Sequence, residues 1–314
     1  MREWVVIYLK GVCMGAADIV PGVSGGTIAL ITGIYDRLIA AIAAIDPRVL
    51  AGLPEVGSVD GRARLREDLL AMDVPFLLAL GAGIGTAFVL MSRVIHAAFE
   101  AYPAVLNGFF FGLIAASAVV IYRAIRVDTP GRIAALLGGG VLAFLVSGAA
   151  ESGGSASLAL VFLAGAIAIS AMVLPGISGA AFLYILGQYQ YMLGALTEFT
   201  DALVAIPSGG SVDAAVTPGI PVVVFLAGAS VGLLTMARVV KRALERNRMA
   251  TLGFLVGLMV GALRLPVEEA AAATGTLTTG LLVAIVLAAV VGVGVILAFD
   301  RFGGSLDYTE DTAV

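Results

Sequence analysis

From Leu277 to Phe299 the chain carries no charged side chain. About 20 apolar residues in a helix suffice to cross the roughly 30 Å hydrocarbon layer of a bilayer. Windows of this kind recur along most of the 314 residues. Inside lipid every backbone polar group must be satisfied within the protein, which restricts such segments to helices or closed barrels. Runs this long and continuous, without strand-like alternation, point to an all-α polytopic membrane protein. Composition agrees: 60% of residues are hydrophobic, 13% are charged and mean hydropathy is +1.06. A soluble domain of this length could not cover itself with so little polar surface.

The chain repeats itself. Residues 11–45, GVCMGAADIVPGVSGGTIALITGIYDRLIAAIAAI, align without gaps to residues 165–199, GAIAISAMVLPGISGAAFLYILGQYQYMLGALTEF. The following segments correspond too, pairing Arg93 with Arg238 and Glu100 with Glu245. Each half reads as a broken (re-entrant) helical hairpin plus three transmembrane helices. Residues 1–150 form the first repeat, with its hairpin at 11–45, a cytoplasmic loop with some interfacial helix at 46–73 and spans near 75–95, 103–122 and 132–150. Residues 151–300 form the second, with its hairpin at 158–199, an outer loop at 200–220 and spans near 221–240, 249–265 and 277–299. Residues 301–314 are an acidic cytoplasmic tail. Three spans per half is an odd number, so the second half sits upside down, an inverted-topology repeat of the kind found in secondary transporters. Charge supports this orientation. With the N-terminus in the cytoplasm, fifteen Lys and Arg residues fall inside and two, Arg93 and Arg264, outside, while Arg37 lies within the first hairpin. Both termini are then cytoplasmic, and the chain is a multi-pass protein of the cell membrane.

The hairpins carry the candidate site. Pro21 disfavours helix at Val20, and Gly22, Gly25 and Gly26 open backbone angles closed to other residues. The first helix is therefore expected to break near 20–26 and restart around Thr27. Pro175, Gly176 and Gly179 predict the same near 174–180. Non-helical backbone at membrane depth survives only when buried in protein or lining a wet cavity. A helix that restarts there aims free N–H groups and its positive end at that cavity, a ready anion site. Ser24, Gly25, Gly26, Thr27, Ser178 and Gly179 would line it, and two tips entering from opposite faces could meet near the midplane. The plainer alternative is a tight turn between buried helices. Asp18, whose counterpart is Met172, reads either as a carboxylate that couples transport to H+ or Na+, or as a cap on the restarting helix. Arg93, Arg238 and Arg37 are candidates for drawing in an anionic head group, against the simpler reading that they snorkel to the interface. Tyr35 and Tyr189 are expected to anchor the returning helices at the interface, or else to donate to a head group. Gly108-x-x-x-Gly112 and Gly253-x-x-x-Gly257-x-x-x-Gly261 read as close helix-packing faces.

Other chemistry lacks its parts. One cysteine, Cys13, and one histidine, His96, leave no material for a disulfide, a thiolate cluster or a His-rich metal site. GVSGGT is not a Walker loop, for it lacks the lysine and the strand context. No metal, no cofactor, no catalytic residue and no nucleic-acid partner are expected; the chain does not read as an enzyme.

ADIVPGVSGGTIALITGIYDRLI and ISAMVLPGISGAAFLYILGQY resemble the paired signatures of the DUF368 membrane proteins. The resemblance covers nearly the whole chain. It implies a polyprenyl-phosphate transporter, a flippase that returns undecaprenyl phosphate from the outer to the inner leaflet for cell-envelope glycan synthesis. In an archaeal source the carrier would be a dolichyl-type phosphate used in glycosylation. One departure is Ala180, which stands where the first copy has Gly26 and where the resemblance implies a more polar residue; the second tip is expected to bind more weakly. Three other classes stay open at this stage: a secondary transporter of a small soluble anion, a membrane enzyme acting on a lipid phosphate, and an ion channel.

Overall fold

The computed structural model describes residues 2–45, 49, 58–150, 157–172, 178–274 and 278–302. Among them it contains helices and no strand. In chain order these are α1 (Arg2–Asp18), α2 (Gly25–Ile31), α3 (Tyr35–Ala43), α4 (Val59–Ala71), α5 (Val74–Ala101), α6 (Pro103–Arg123) and α7 (Pro130–Ala150). They are followed by α8 (Leu158–Met172), α9 (Gly179–Ile185), α10 (Tyr189–Ala205), α11 (Asp213–Ala262), α12 (Arg264–Ala272) and α13 (Thr279–Phe302). Among the described residues five stretches are long and apolar enough to cross a membrane: Val74–Ala101, Pro103–Arg123, Asp213–Leu233, Glu245–Ala272 and Thr279–Arg301. The chain is a multi-pass membrane protein.

Local chemistry sets the boundaries. Pro103 opens α6 at a position where a missing N–H costs nothing, and only Tyr102 separates it from α5. Ser58 caps α4, its hydroxyl accepting from Gly61 N–H at 2.9 Å. Within α11 the backbone departs from helical angles at Asn247 (φ −159°, ψ 85°). The Asn247 side chain then accepts from Ala250 N–H at 3.0 Å, so a polar residue caps the second part of the helix after the bend.

The segment 46–73 contains the expected helix, α4, because residues 59–71 keep their helix formers despite their charge. Other expected boundaries move. The segment 200–220 is mostly helical: α10 runs to Ala205, a 3-10 turn covers Ile206–Ser208, and α11 begins at Asp213. The first restarting helix begins at Gly25 rather than Thr27. Each hairpin also breaks a second time. Helices α2 and α3 meet at 120°. Gly33 sits there at φ +70°, and Gly187 occupies the matching place after α9 at φ +65°. Ile34 N–H returns to Ala29 O and Gln188 N–H to Leu183 O, both at 2.9 Å. That is the pattern in which a left-handed glycine ends a helix and turns the chain.

Small residues decide how the helices pack. A Cβ on Gly83 of α5 would strike the Tyr8 carbonyl of α1, and one on Gly165 of α8 would strike the Phe225 carbonyl of α11. On α6, Gly108 and Gly112 lie against Ile285 and Ala289 of α13; on α11, Gly257 and Gly261 lie against Leu136 and Gly140 of α7. The expected packing faces are thus in contact, at backbone-to-backbone distance. The pairing also interleaves the chain: α7 from the first 150 residues packs on the second part of α11, and α13 packs back on α6. The centre is aromatic. Phe110 makes edge-on contacts with Phe99, Tyr184 and Tyr189 at 5.7, 5.8 and 5.7 Å between ring centroids. Leu78, Leu90, Leu145, Leu226 and Val290 face outward, as a lipid-facing surface requires.

Candidate functional site

The first helix fails where proline demands it. After Asp18 the backbone tightens, with Val20 N–H bonding to Ala17 O at 3.1 Å, and turns through Val23 N–H to Val20 O at 3.1 Å. Gly22 takes φ +90°, a conformation that a side chain would strain. A break buried among apolar helices exposes donors and acceptors that cost several kcal/mol each if left unpaired. This one is stitched from all sides. Tyr189 of α10 donates its hydroxyl to Ile19 O at 2.7 Å. Ser117 of α6 donates to Gly22 O at 2.6 Å. Ser178, at the head of α9, accepts from Gly22 N–H at 3.1 Å and from Ala181 N–H at 3.3 Å. The two broken tips therefore touch, with Ser178 of one seated on Gly22 of the other.

Asp18 sits across the break from the restarting helix, only 2% exposed. Its Oδ1 accepts from Gly25 N–H at 2.7 Å. A Cβ on Gly25 would run into the Asp18 carboxylate, which is the physical reason for glycine there. In the second copy a Cβ on Gly179 would meet Met172 instead, its Cγ at 2.5 Å. A thioether thus fills the place that a carboxylate takes in the first copy. Asp18 Oδ2 and the Ser24 hydroxyl are both buried without a hydrogen-bond partner. Ser24 precedes α2 in an extended conformation, as an N-cap should, yet its hydroxyl does not cap; Ser178 in the same position of the second copy does.

This arrangement sharpens the anion-site expectation. Helices α2 and α9 have seven residues each, about two turns, so each contributes only a short dipole. Gly25 N–H is already held by Asp18 and Gly22 N–H by Ser178. Gly26 is buried and Thr27 half-buried beside them. Pro21 is fully buried at the turn. Pro175 and Gly176 lie outside the described residues. Of Arg238 the backbone alone is described.

The other expected arginines have protein partners. Arg37 makes a bidentate pair with Asp73, Nε to Oδ2 at 2.6 Å and Nη2 to Oδ1 at 3.1 Å. Its guanidinium lies 4.3 Å over the Phe76 ring, with Glu3 at 3.6 Å. Arg93 pairs with Asp201 of α10 and reaches Thr200 Oγ1 at 3.4 Å, and its Nε is buried without a partner. Tyr189 corrects the expectation of an interfacial anchor. It is 4% exposed and its hydroxyl serves the break.

Beside the crossing lies a small apolar pocket of about 10 Å³ between α6, α9 and α11. Ile121, Ala181, Phe182, Leu252, Leu255 and Met259 line it, and Ser178 is its one polar lining side chain. Reading of the sequence missed Ser117, Asn107, Tyr184 and Glu269. Asn107, 1% exposed within an apolar helix, carried the clearest signal, because an intramembrane amide is costly without a partner.

Comparison with known proteins bears on this geometry. No solved structure matches the chain. A Vibrio cholerae serotype O1 protein named polyprenyl-phosphate transporter is 36% identical over 256 residues, covering 82% of this chain and 75% of the Vibrio protein. The family described as VCA0040-like, undecaprenyl phosphate translocase-like, matches residues 14–282, which include both broken hairpins and the helices that stitch them. The chain belongs to this DUF368 family of undecaprenyl phosphate translocase-like membrane proteins.

Proposed function

We propose that the protein is a flippase for a polyprenyl phosphate, carrying its phosphate past the crossed hairpin tips while the isoprenoid tail stays in lipid. The observation that carries this reading is the contact of Ser178 with Gly22 beside an apolar pocket. The tail needs no help to cross a bilayer; the barrier is the charged phosphate, whose desolvation is expensive. At Ser178 the polar seam borders apolar side chains, which suits a ligand with one charged end and one greasy end.

In this proposal the halves 1–150 and 151–300 are inverted repeats, with the termini in the cytoplasm. The first repeat rocks against the second about the crossing. Phosphate enters by displacing protein groups from N–H donors they now hold: Ser178 from Gly22 and Asp18 from Gly25. Ser24, Gly26, Thr27 and Gly179 surround the same seam, and Arg238 and Arg93 attend its approaches. Net movement is from the outer to the inner leaflet. Moving one negative charge inward opposes an inside-negative potential by about 2.3 kcal/mol per 100 mV. A proton or Na+ travelling with the lipid offsets that cost, and Asp18 is the group assigned to it. One of its oxygens is buried without a partner, so uptake of a cation there removes an uncompensated acceptor.

Binding tests the reading directly. Polyprenyl phosphate should raise the melting temperature of the detergent-purified protein, and polyprenol of the same length should not. Inorganic phosphate should compete only weakly. Equal stabilisation by free phosphate and by lipid phosphate would favour a carrier for a soluble anion. Release of inorganic phosphate from the lipid would favour an enzyme.

A further inference from the structure

At one end of the bundle, helices from both halves of the chain come to a common edge. Gly108 of α6 lies against Ile285 of α13 and Gly112 against Ala289, so the two helices run side by side in the same direction. They finish together, each with an arginine in its last turn: Arg123 on α6 and Arg301 on α13. The second part of α11 begins at the same level, since Leu252 shares a pocket with Ile121 of α6. Arg132 closes the edge. Its Nη1 donates to Arg126 O at 3.3 Å, and its own carbonyl would lie 3.7 Å from a Cβ on Gly253 of α11.

Four guanidinium groups at this edge have no acid to hold. Arg123, Arg126, Arg246 and Arg301 are exposed, and none makes an ion pair among the described residues. Arg37, Arg93, Arg132 and Arg264, by contrast, each hold a carboxylate. Asp128 is the acid that Arg132 holds, at 2.6 Å. Glu245 and Asp300 stand beside Arg246 and Arg301 in the chain, and they leave positive charge in excess. A lone arginine at a helix end simply reaches for the interface. Here separate helices deliver several to one place, directly above a greasy wall. Val119 and Tyr122 of α6 and Leu297 of α13 face outward next to the charged edge, with the tyrosine at the level where aromatic rings meet head groups.

We propose that this edge binds the head group of an anionic phospholipid from outside the bundle. Arg123, Arg126, Arg246 and Arg301 hold the phosphate, and the acyl chains lie along α6 and α13. A planar guanidinium matches phosphate oxygens with two parallel N–H donors. The apolar wall makes a lipid the occupant rather than a free anion, because a soluble phosphate gains nothing from it. Arg123 and Arg126 precede residue 150, while Arg246 and Arg301 follow it. One bound head group therefore ties the two halves of the chain together. The site is separate from the hairpin crossing and does not rest on the polyprenyl-phosphate reading.

The test uses the full-length protein in an uncharged detergent, with no polyprenyl phosphate present, so its outcome is independent of the transport reading. Dioleoylphosphatidylglycerol should raise the unfolding midpoint, half-saturating at a concentration at least about tenfold below that of dioleoylphosphatidylcholine. Arg123→Gln and Arg301→Gln should each raise that concentration by about fivefold. Arg62→Gln removes the same charge from the exposed face of α4, which packs on α5, and should leave it unchanged. Equal stabilisation by the two lipids would overturn the proposal. So would an Arg62→Gln effect as large as that of Arg123→Gln, because net charge alone would then attract the lipid. Inorganic phosphate that stabilises as well as the phospholipid would assign the edge to a soluble anion instead. Should one cluster variant fail to fold, the other decides alone.

Discussion

Ser178 and Gly22, 156 positions apart, share a hydrogen bond of 3.1 Å at the point where two interrupted helices meet. Removing the Ser178 hydroxyl leaves Gly22 N–H and Ala181 N–H without an acceptor. A buried donor deprived of its partner costs about 1–3 kcal/mol. Ser178→Ala should therefore lower the unfolding midpoint measurably and slow lipid exchange by about tenfold, the factor that 1.4 kcal/mol represents. Thermal unfolding and exchange rate, measured on one preparation, check both halves of the expectation.

Gly25 and Asp18 are fitted to each other. Gly25→Ala forces a methyl group into the carboxylate, and overpacking of this kind costs about 1–3 kcal/mol. Asp18→Ala in the same chain opens the space and should restore part of the loss. A double-mutant cycle on unfolding free energies should give a coupling of at least about 0.5 kcal/mol. Additive losses would show that the two residues do not press on one another. Asp18→Asn keeps an acceptor for Gly25 N–H, so it should fold normally while exchange ceases to respond to an imposed proton or Na+ gradient.

Two arginine clasps tie the returning helices to opposite ends of α5: Arg37 of α3 to Asp73 just before α5, and Arg93 of α5 to Asp201 of α10. Half-exposed pairs of this sort are worth about 1 kcal/mol or less, enough to bias two conformations without locking either. Arg37→Gln should raise the labelling rate of a cysteine placed at the Asp73 end by up to about fivefold, and Arg93→Gln should do so at the Asp201 end. Equal effects at both ends from either variant would argue against separate gates.

The glycine seams give a contrast. Gly112→Leu and Gly257→Leu would drive a side chain into the Ala289 and Leu136 carbonyls of the facing helices, whereas a Cβ on Gly294 meets open space. The first two should abolish monodisperse folded protein by size-exclusion chromatography. Gly294→Leu should leave the profile unchanged.

Much of this architecture is legible in the residues. Pro21 with Gly22 announces the break, the echo at Ser178 announces its partner, and the small-residue spacings announce which helix faces meet. Long-range hydrogen bonding is not legible. Nothing local to Tyr189 or Ser117 says that each will reach a carbonyl of the first break, 170 and 95 positions away. The arginines are ambiguous for a related reason. An arginine near a helix end reads alike whether it awaits a head group or pairs with an aspartate, and only the fold brings Asp73 to Arg37 and Asp201 to Arg93. The contacts of Glu269 with Tyr184 and Gln190 were hidden in the same way, since neither residue is near it in the chain.

The central claim is that polyprenyl phosphate crosses the membrane at the meeting of the two broken hairpins. Its most direct test is leaflet exchange of a polyprenyl phosphate in proteoliposomes, comparing wild type, Ser178→Ala and protein-free vesicles. The account predicts rapid exchange in the wild type, exchange slowed about tenfold in Ser178→Ala, and none on the same timescale without protein. Wild-type vesicles that exchange the lipid no faster than empty ones, or a Ser178→Ala protein that exchanges it at the full rate, would contradict it.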